Sequence, residues 1–226
     1  MFVNIDAGER DDEPEELYAL AHVVNVACGG HAGDDVSMRR VAVACVRLGT
    51  RIGAHPSYAD RAGFGRRALD VPPEAMRASV ADQCRALRAH AEAAGGEVLF
   101  VKPHGALYHA ASAERALAVA VVAGAVDALG RSITFIGPPG GALVAAAVDA
   151  GLAYAREGFA DRGVRADGTL VPRGEPDAVI EDPERAAARA RELIARGDVD
   201  TICVHGDTPG APAIAREVRA AVDRAS

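Results

Sequence analysis

Four short stretches hold most of the residues that could do chemistry: VACGGHAGDD (26–35), IGAHPSYADRAGFGRR (52–67), VKPHGALYH (101–109) and ICVHGDTPG (202–210). Each places a histidine (His31, His55, His104 or His205) close to a Gly or Pro at the end of an apolar run. Neutral imidazoles next to carboxylates can ligate a divalent metal, or they can carry protons near neutral pH. The residue types leave both roles open. No HExxH or HxxxH pair occurs, so helical zinc spacing is absent, while an Asp/His site assembled from several strands stays open. His22, His90 and His109 read as surface or hydrogen-bonding residues, His90 as solvent-exposed on a long charged helix.

Lys102 closes an apolar run and is held extended by Pro103. At the mouth of a cavity its ammonium would stabilise negative charge developing on a carbonyl or phosphoryl oxygen. Arg66, in GFGRR, has the planar fork that holds a carboxylate or phosphate bidentately. Asn4 and Asp6 stand two apart on the first apolar run and so share a face, and Glu9 lies just beyond. Asp207 follows His205 closely, where it is expected to accept that ring's proton or bind a ligand amine. The polar segment 157–177 reads as a lid or binding loop, with Asp161 and Arg162 its best candidates and Asp167-Gly168 a turn.

Elements must aim these groups. Short Val- and Ile-rich runs predict buried parallel strands over 2–6, 22–28, 51–54, 97–102, 132–137, 152–157 and 200–205. Helical patterns fill 34–49, 72–96, 112–130, 140–151, 182–197 and 211–225, with a short helix within 13–21. No linker or composition shift divides the chain, so residues 1–226 are expected to form one domain around one parallel sheet. In an open sheet the polar residues would gather at a switch point. Here nearly every strand ends in one: Asp6, His31 beyond Cys28, His55, Lys102, Glu157, His205. A closed barrel collects all its strand ends around one mouth, which favours the barrel.

Composition narrows the function. Half the residues are hydrophobic and the formal charge is −7, from 25 Lys and Arg against 32 Asp and Glu. The absence of basic runs argues against nucleic acid and anionic membrane surfaces as partners. No stretch approaches a membrane span, and the acidic opening MFVNIDAGERDDEPEE does not read as a secretory signal. The four cysteines lack CxxC spacing and read as buried free thiols of a cytoplasmic protein.

Taken together, VNIDAGE, NVACGGHAGD, IGAHPSYADRAGFGRR, VKPHGALYH, FADRGVRADGTLVPR and VHGDTPG resemble the LamB/YcsF family, in order from residue 3 to residue 210. The resemblance implies a distorted (β/α)7-type barrel like that of the glycoside hydrolase/deacetylase superfamily. It also implies ATP-dependent opening of 5-oxo-L-proline to L-glutamate, in which partner subunits B and C phosphorylate the lactam oxygen and this chain opens the activated ring. ATP is then used through the partners, which suits a sequence without a Walker motif. Two departures stand near the expected mouth: RDDEPEEL follows Glu9 in place of a Gly-rich turn, and Gly30 stands where a bulky aromatic is common.

On that reading His104 and His205 serve as acid and base, with Asp6 or Asp207 as orienter or alternative base. Lys102 faces the phosphate or developing oxyanion, and Arg66 holds the substrate carboxylate. Asn4, Glu9, His31, His55, Asp161 and Arg162 complete the substrate pocket. The alternative reading is a metal-dependent deacetylase or amidohydrolase acting without ATP, with Asp6, His31 and His55 holding a divalent metal. A non-catalytic binding protein is the third, and the polar mouth argues against it.

Overall fold

In the computed structural model, which describes residues 1–165, 169–172 and 174–225, seven parallel strands close into a barrel in chain order. They are β1 (Phe2–Ala7), β2 (Val23–Ala27), β3 (Arg51–His55), β4 (Val98–Val101), β5 (Thr134–Gly137), β6 (Ala153–Phe159) and β7 (Thr201–His205). β7 pairs with β1, which leaves no edge and sets Asp6 between Asn25 of β2 and His205 of β7. The strands read as apolar runs because both faces are covered. Outward side chains such as Val3, Ile5, Val24 and Val204 meet the helices in one large core. Val23, Phe100, Ile136 and Ala155 form a small second apolar cluster.

Around the barrel lie α1 (Glu16–Leu20), α2 (Asp35–Leu48), α3 (Pro73–Ala93), α4 (Gly105–Ala113), α5 (Arg115–Leu129), α6 (Ala142–Asp149), α7 (Pro183–Arg196) and α8 (Ala211–Asp223). Their limits follow from capping chemistry. Asp34 and Ser37 make a reciprocal capping box at the start of α2, and Gly49 ends it in the left-handed region at φ 71°.

Two elements differ from the sequence expectation. GALYH continues as a helix where a strand-end motif was expected, and the helix predicted over 112–130 is α5, separated from α4 by the extended Glu114. Gly105, at φ 55°, disguises the start: a Cβ there would meet the Gly65 carbonyl oxygen at 2.6 Å. β6 also runs past residue 157, because Glu157, Gly158 and Phe159 pair with Thr201, Ile202 and Cys203. The following segment carries two isolated antiparallel bridges, Arg162 with Val179 and Val164 with Leu170. The Asp167-Gly168 turn lies outside the described residues.

Candidate active site

The deepest polar group is built around Lys102. Its backbone N–H donates to the Ala54 carbonyl at 2.9 Å, and that of His104 to the Pro56 carbonyl at 2.8 Å, so the extended path continues past β4. Lys102 and His104, two apart, therefore share an inward face. The ammonium lies 3.0 Å from both Asp6 oxygens, 2.9 Å from Glu157 Oε1 and 3.1 Å from Cys203 Sγ. Asn4 Nδ2 donates to Glu157 Oε1 at 3.0 Å and to Thr201 Oγ1 at 2.9 Å. Asn25 Nδ2 donates to Asn4 Oδ1 at 2.8 Å and Asp6 Oδ1 at 2.9 Å.

Burial works against charge on all of these groups. For Asp6 it is outweighed by the fields of His55, Lys102 and His205 and by the Lys102 hydrogen bond, which hold the carboxyl well below its usual range. His55 is itself pushed well below its ordinary value, by burial first, so the standing cation beside Asp6 is Lys102. Lys102 is driven well above its ordinary value: burial opposes the charge, but Asp6, Cys203 and Glu157 more than offset it.

The hydrogen-bond partners of three histidines fix their tautomers. His55 Nδ1 is 2.7 Å from the Lys102 carbonyl, so it carries the hydrogen and leaves a lone pair on Nε2. His104 Nε2 is 2.9 Å from the Phe64 carbonyl, which leaves the lone pair on Nδ1. His31 Nδ1 lies 3.0 Å from Ser57 Oγ, whose hydrogen goes to the Tyr58 carbonyl at 2.9 Å; His31 donates there and keeps its lone pair on Nε2. These lone pairs face one another and Glu9. Glu9 Oε1 is 2.8 Å from His31 Nε2, 3.3 Å from His104 Nδ1 and 3.9 Å from His55 Nε2, and His55 Nε2 is 3.0 Å from His104 Nδ1. Burial pushes Glu9 up to about 7 and, acting on the charged imidazolium, pushes His31 down to about 3 and His104 down to about 4. Three imidazole lone pairs and one carboxyl group thus converge, and this is a donor set that a divalent-cation site uses.

Neighbouring loops hold this cluster. Phe64, at φ 53°, sets its ring against the edges of His31 and His104. Gly65 fits between them, since a Cβ there would lie 2.8 Å from His31 Cβ and 3.0 Å from His104 Cδ2. Glu13, in the divergent segment after Glu9, accepts the N–H groups of Gly8, Glu9 and Arg10 and the Tyr18 hydroxyl, and so shapes the turn that delivers Glu9. Gly30 leaves no room for an aromatic: even a Cβ would strike Ser57 Oγ at 2.4 Å.

His205 faces the cluster across the mouth. Its Nδ1 is 2.9 Å from Asp161 Oδ1, and the other Asp161 oxygen accepts the His205 N–H at 2.9 Å and the Thr208 hydroxyl at 2.7 Å. Burial alone would lower the imidazole, but Asp161 and Asp6 raise it above its ordinary value. His205 Nε2 is left 4.0 Å from Asp6 Oδ2. Lys102, Glu157, His55, His104 and His205 line one cavity of about 940 Å³ with Asp6 at its floor. A second pocket, about 550 Å³, is lined by Glu9 and His31 together with Asp11, Asp12, Asp34, Arg10 and Arg61.

Several sequence expectations need correction. Asp207 pairs with Arg66 at 2.7 Å, and the loop residue Asp161 takes its expected place on His205. Arg66 is therefore engaged at the rim. The Arg162 guanidinium donates to the Ala178 and Val171 carbonyls, which ties its own loop together. Asn4 lies beneath Asp6 as a brace. His31 and His55 do come together, but Glu9 and His104 join them; Asp6 groups with Cys203 and His205 instead. His90 is only partly exposed and pairs with Asp35 at 3.0 Å. In the sequence Glu157 stands out only as a strand end, and Asn25, Cys203, Glu13 and Ser57 do not stand out as site residues at all. A polar Asn inside the apolar run VVNVA is the available signal for Asn25.

The fold and site define a closed, parallel seven-stranded β/α barrel with carboxylates, imidazoles and one lysine gathered at its strand ends. The chain belongs to the LamB/YcsF family, whose model matches residues 3–226. It is 47% identical to the A subunit of 5-oxoprolinase from Streptomyces griseus, over all of this chain and 96% of that protein. The crystal structure of the lactam utilization protein from Thermus thermophilus superposes with a TM-score of 0.89 at 35% identity, covering 100% of this chain and 96% of the other. A family 4 carbohydrate esterase from Streptomyces lividans shares the fold, with a TM-score of 0.55 at 11% identity over 99% of this chain and 88% of that one.

Proposed function

We propose that this chain opens the ring of activated 5-oxo-L-proline to give L-glutamate, as the A component of an ATP-hydrolysing 5-oxoprolinase whose subunits B and C spend the ATP. The likeness to relatives of that name supports the substrate. The observation that carries the chemistry is the Lys102 ammonium between Asp6 and Glu157, facing the Asp161–His205 pair across one cavity. Its four buried free thiols fit a reducing cytoplasm as the place of action.

An unactivated lactam is a poor electrophile with a poor leaving group. Phosphorylation of its oxygen makes an imidate-like carbon. Water adds to that carbon, the ring nitrogen takes a proton, and the C–N bond breaks to leave an acyl phosphate. A second water releases phosphate and the side-chain carboxylate. Lys102 neutralises charge on the activated oxygen. His205 hands its Nε2 proton to the leaving nitrogen, oriented by Asp161 on Nδ1. His104 is less suited to that task, because its Nε2–H donates to the Phe64 carbonyl and its Nδ1 carries no proton to give. The deacetylase reading places Asp6 on a metal with His31 and His55, and Asp6 is instead bound to Lys102.

The test is glutamate release from 5-oxoproline and ATP by this chain mixed with subunits B and C. The mixture is expected to turn over and the chain alone to do nothing. Robust turnover by the isolated chain would overturn the division of labour.

A further inference from the structure

The cluster of Glu9, His31, His55 and His104 has no assigned task in the ring opening, and its geometry asks for one. Each imidazole spends its hydrogen outward, His55 on the Lys102 carbonyl, His104 on the Phe64 carbonyl and His31 on Ser57. Each turns its lone pair inward. A lone pair 2.8 Å from a carboxylate oxygen, and two lone pairs 3.0 Å apart, repel unless something positive lies among them. Outward donation to a carbonyl or hydroxyl is also the arrangement that fixes and strengthens metal-binding histidines.

We propose that Glu9, His31, His55 and His104 bind one divalent transition-metal cation of the zinc class. Neutral imidazoles with one carboxylate suit such an ion better than they suit magnesium or calcium. With bonds of about 2.0–2.1 Å, the donors of a tetrahedral site lie about 3.3 Å apart. Four of the six separations here are 2.8, 3.0, 3.3 and 3.9 Å, and all four donor atoms fall within 4.8 Å of one another. Glu9 and His31 also line the second pocket, which opens the cluster to a cation without passing through the substrate cavity. When bound, such an ion would polarise a water or a substrate oxygen at the cavity wall. The proposal rests on the donor geometry and is independent of the substrate reading.

The test uses the full chain, stripped with chelator and titrated with Co²⁺ and then Zn²⁺. The expected result is about one cation per chain, a visible Co²⁺ band of the tetrahedral type that Zn²⁺ abolishes, and a higher melting temperature for the loaded protein. Glu9→Gln keeps the side chain's shape, and His31→Ala removes a donor. Each should weaken binding by more than the roughly 10- to 100-fold that losing a supporting hydrogen bond costs. Ser57→Ala should fall within that range, and His205→Ala should bind normally. If His31→Ala does not fold, Glu9→Gln decides. Failure to bind either ion at micromolar concentration would overturn the proposal and leave protons as the cluster's glue. So would binding that Glu9→Gln leaves intact, or that depends on His205. None of these readouts involves glutamate release, so either reading can fail without the other.

Discussion

Replacing Lys102 with methionine keeps most of the side chain's volume and removes its charge. Asp6 and Glu157, both buried at 3% exposure, would then face each other without a cation. Breaking a buried ion pair by removing one partner costs about 3–5 kcal/mol. For a chain of this size that lowers the melting temperature by roughly 6–20 °C. A lysine at a barrel mouth looks dispensable for folding from sequence alone; its burial and its two carboxylates reverse that expectation. The deficit should shrink on acidification. Asp6, held low in the native protein by Lys102, contributes stability above its unfolded value near 3.8 and loses it as pH falls through the lower folded value. In Lys102→Met, burial raises Asp6, so protonation relieves the variant at pH values where the parent still keeps its ion pair. Turnover in the reconstituted complex should fall about a hundred- to thousandfold, as for loss of one oxyanion donor. Thermal melts between pH 4 and 8 and glutamate release measure the two effects, and Lys102→Met/Asp6→Asn should regain stability but not activity. A Lys102→Met protein within about 1 kcal/mol of the parent and turning over normally would refute both the buried-pair argument and the catalytic role.

Three further predictions are independent of that one. His205→Gln should cost about a hundredfold or more in turnover through loss of proton transfer, with folding retained. Because Asp161 raises His205, the rate should decline as pH rises through a value above 6.5, and Asp161→Asn should move that decline to lower pH; an unmoved limb would remove His205 as the acid. Gly105→Ala should destabilise by about 1–3 kcal/mol in denaturant titration, because φ 55° and the Gly65 carbonyl both reject a Cβ; a neutral result would show that the α4 start is not so constrained.

The barrel was legible because parallel strands covered on both faces are written as short β-branched runs, and because polar residues stood at nearly every strand end. The start of α4 was hidden, since Gly105 punctuates a sequence that the backbone continues as helix. Likewise Gly158 read as loop although the ladder to β7 carries it. Within the site, His31, His55, His104 and His205 were visible from local context alone. Their partners were not, because each pair joins distant segments: Glu9 to His31, Glu157 to Lys102, Asp161 to His205. Proximity in sequence favoured Asp207 for His205, and the fold brought Asp161 there from 44 residues away. The tautomers, which turn three histidines into a cluster of acceptors, depend on carbonyls that no side-chain pattern reports.

In the proposed division of labour this chain opens a ring that its partners activate with ATP. The most direct measurement follows ADP and glutamate together while this chain is added in increasing amounts to fixed subunits B and C with 5-oxoproline and ATP. Glutamate release should rise in proportion to this chain until it matches ADP formation, and it should vanish without ATP. Glutamate formed at the same rate without this chain, or by this chain in the absence of ATP, would contradict that division of labour.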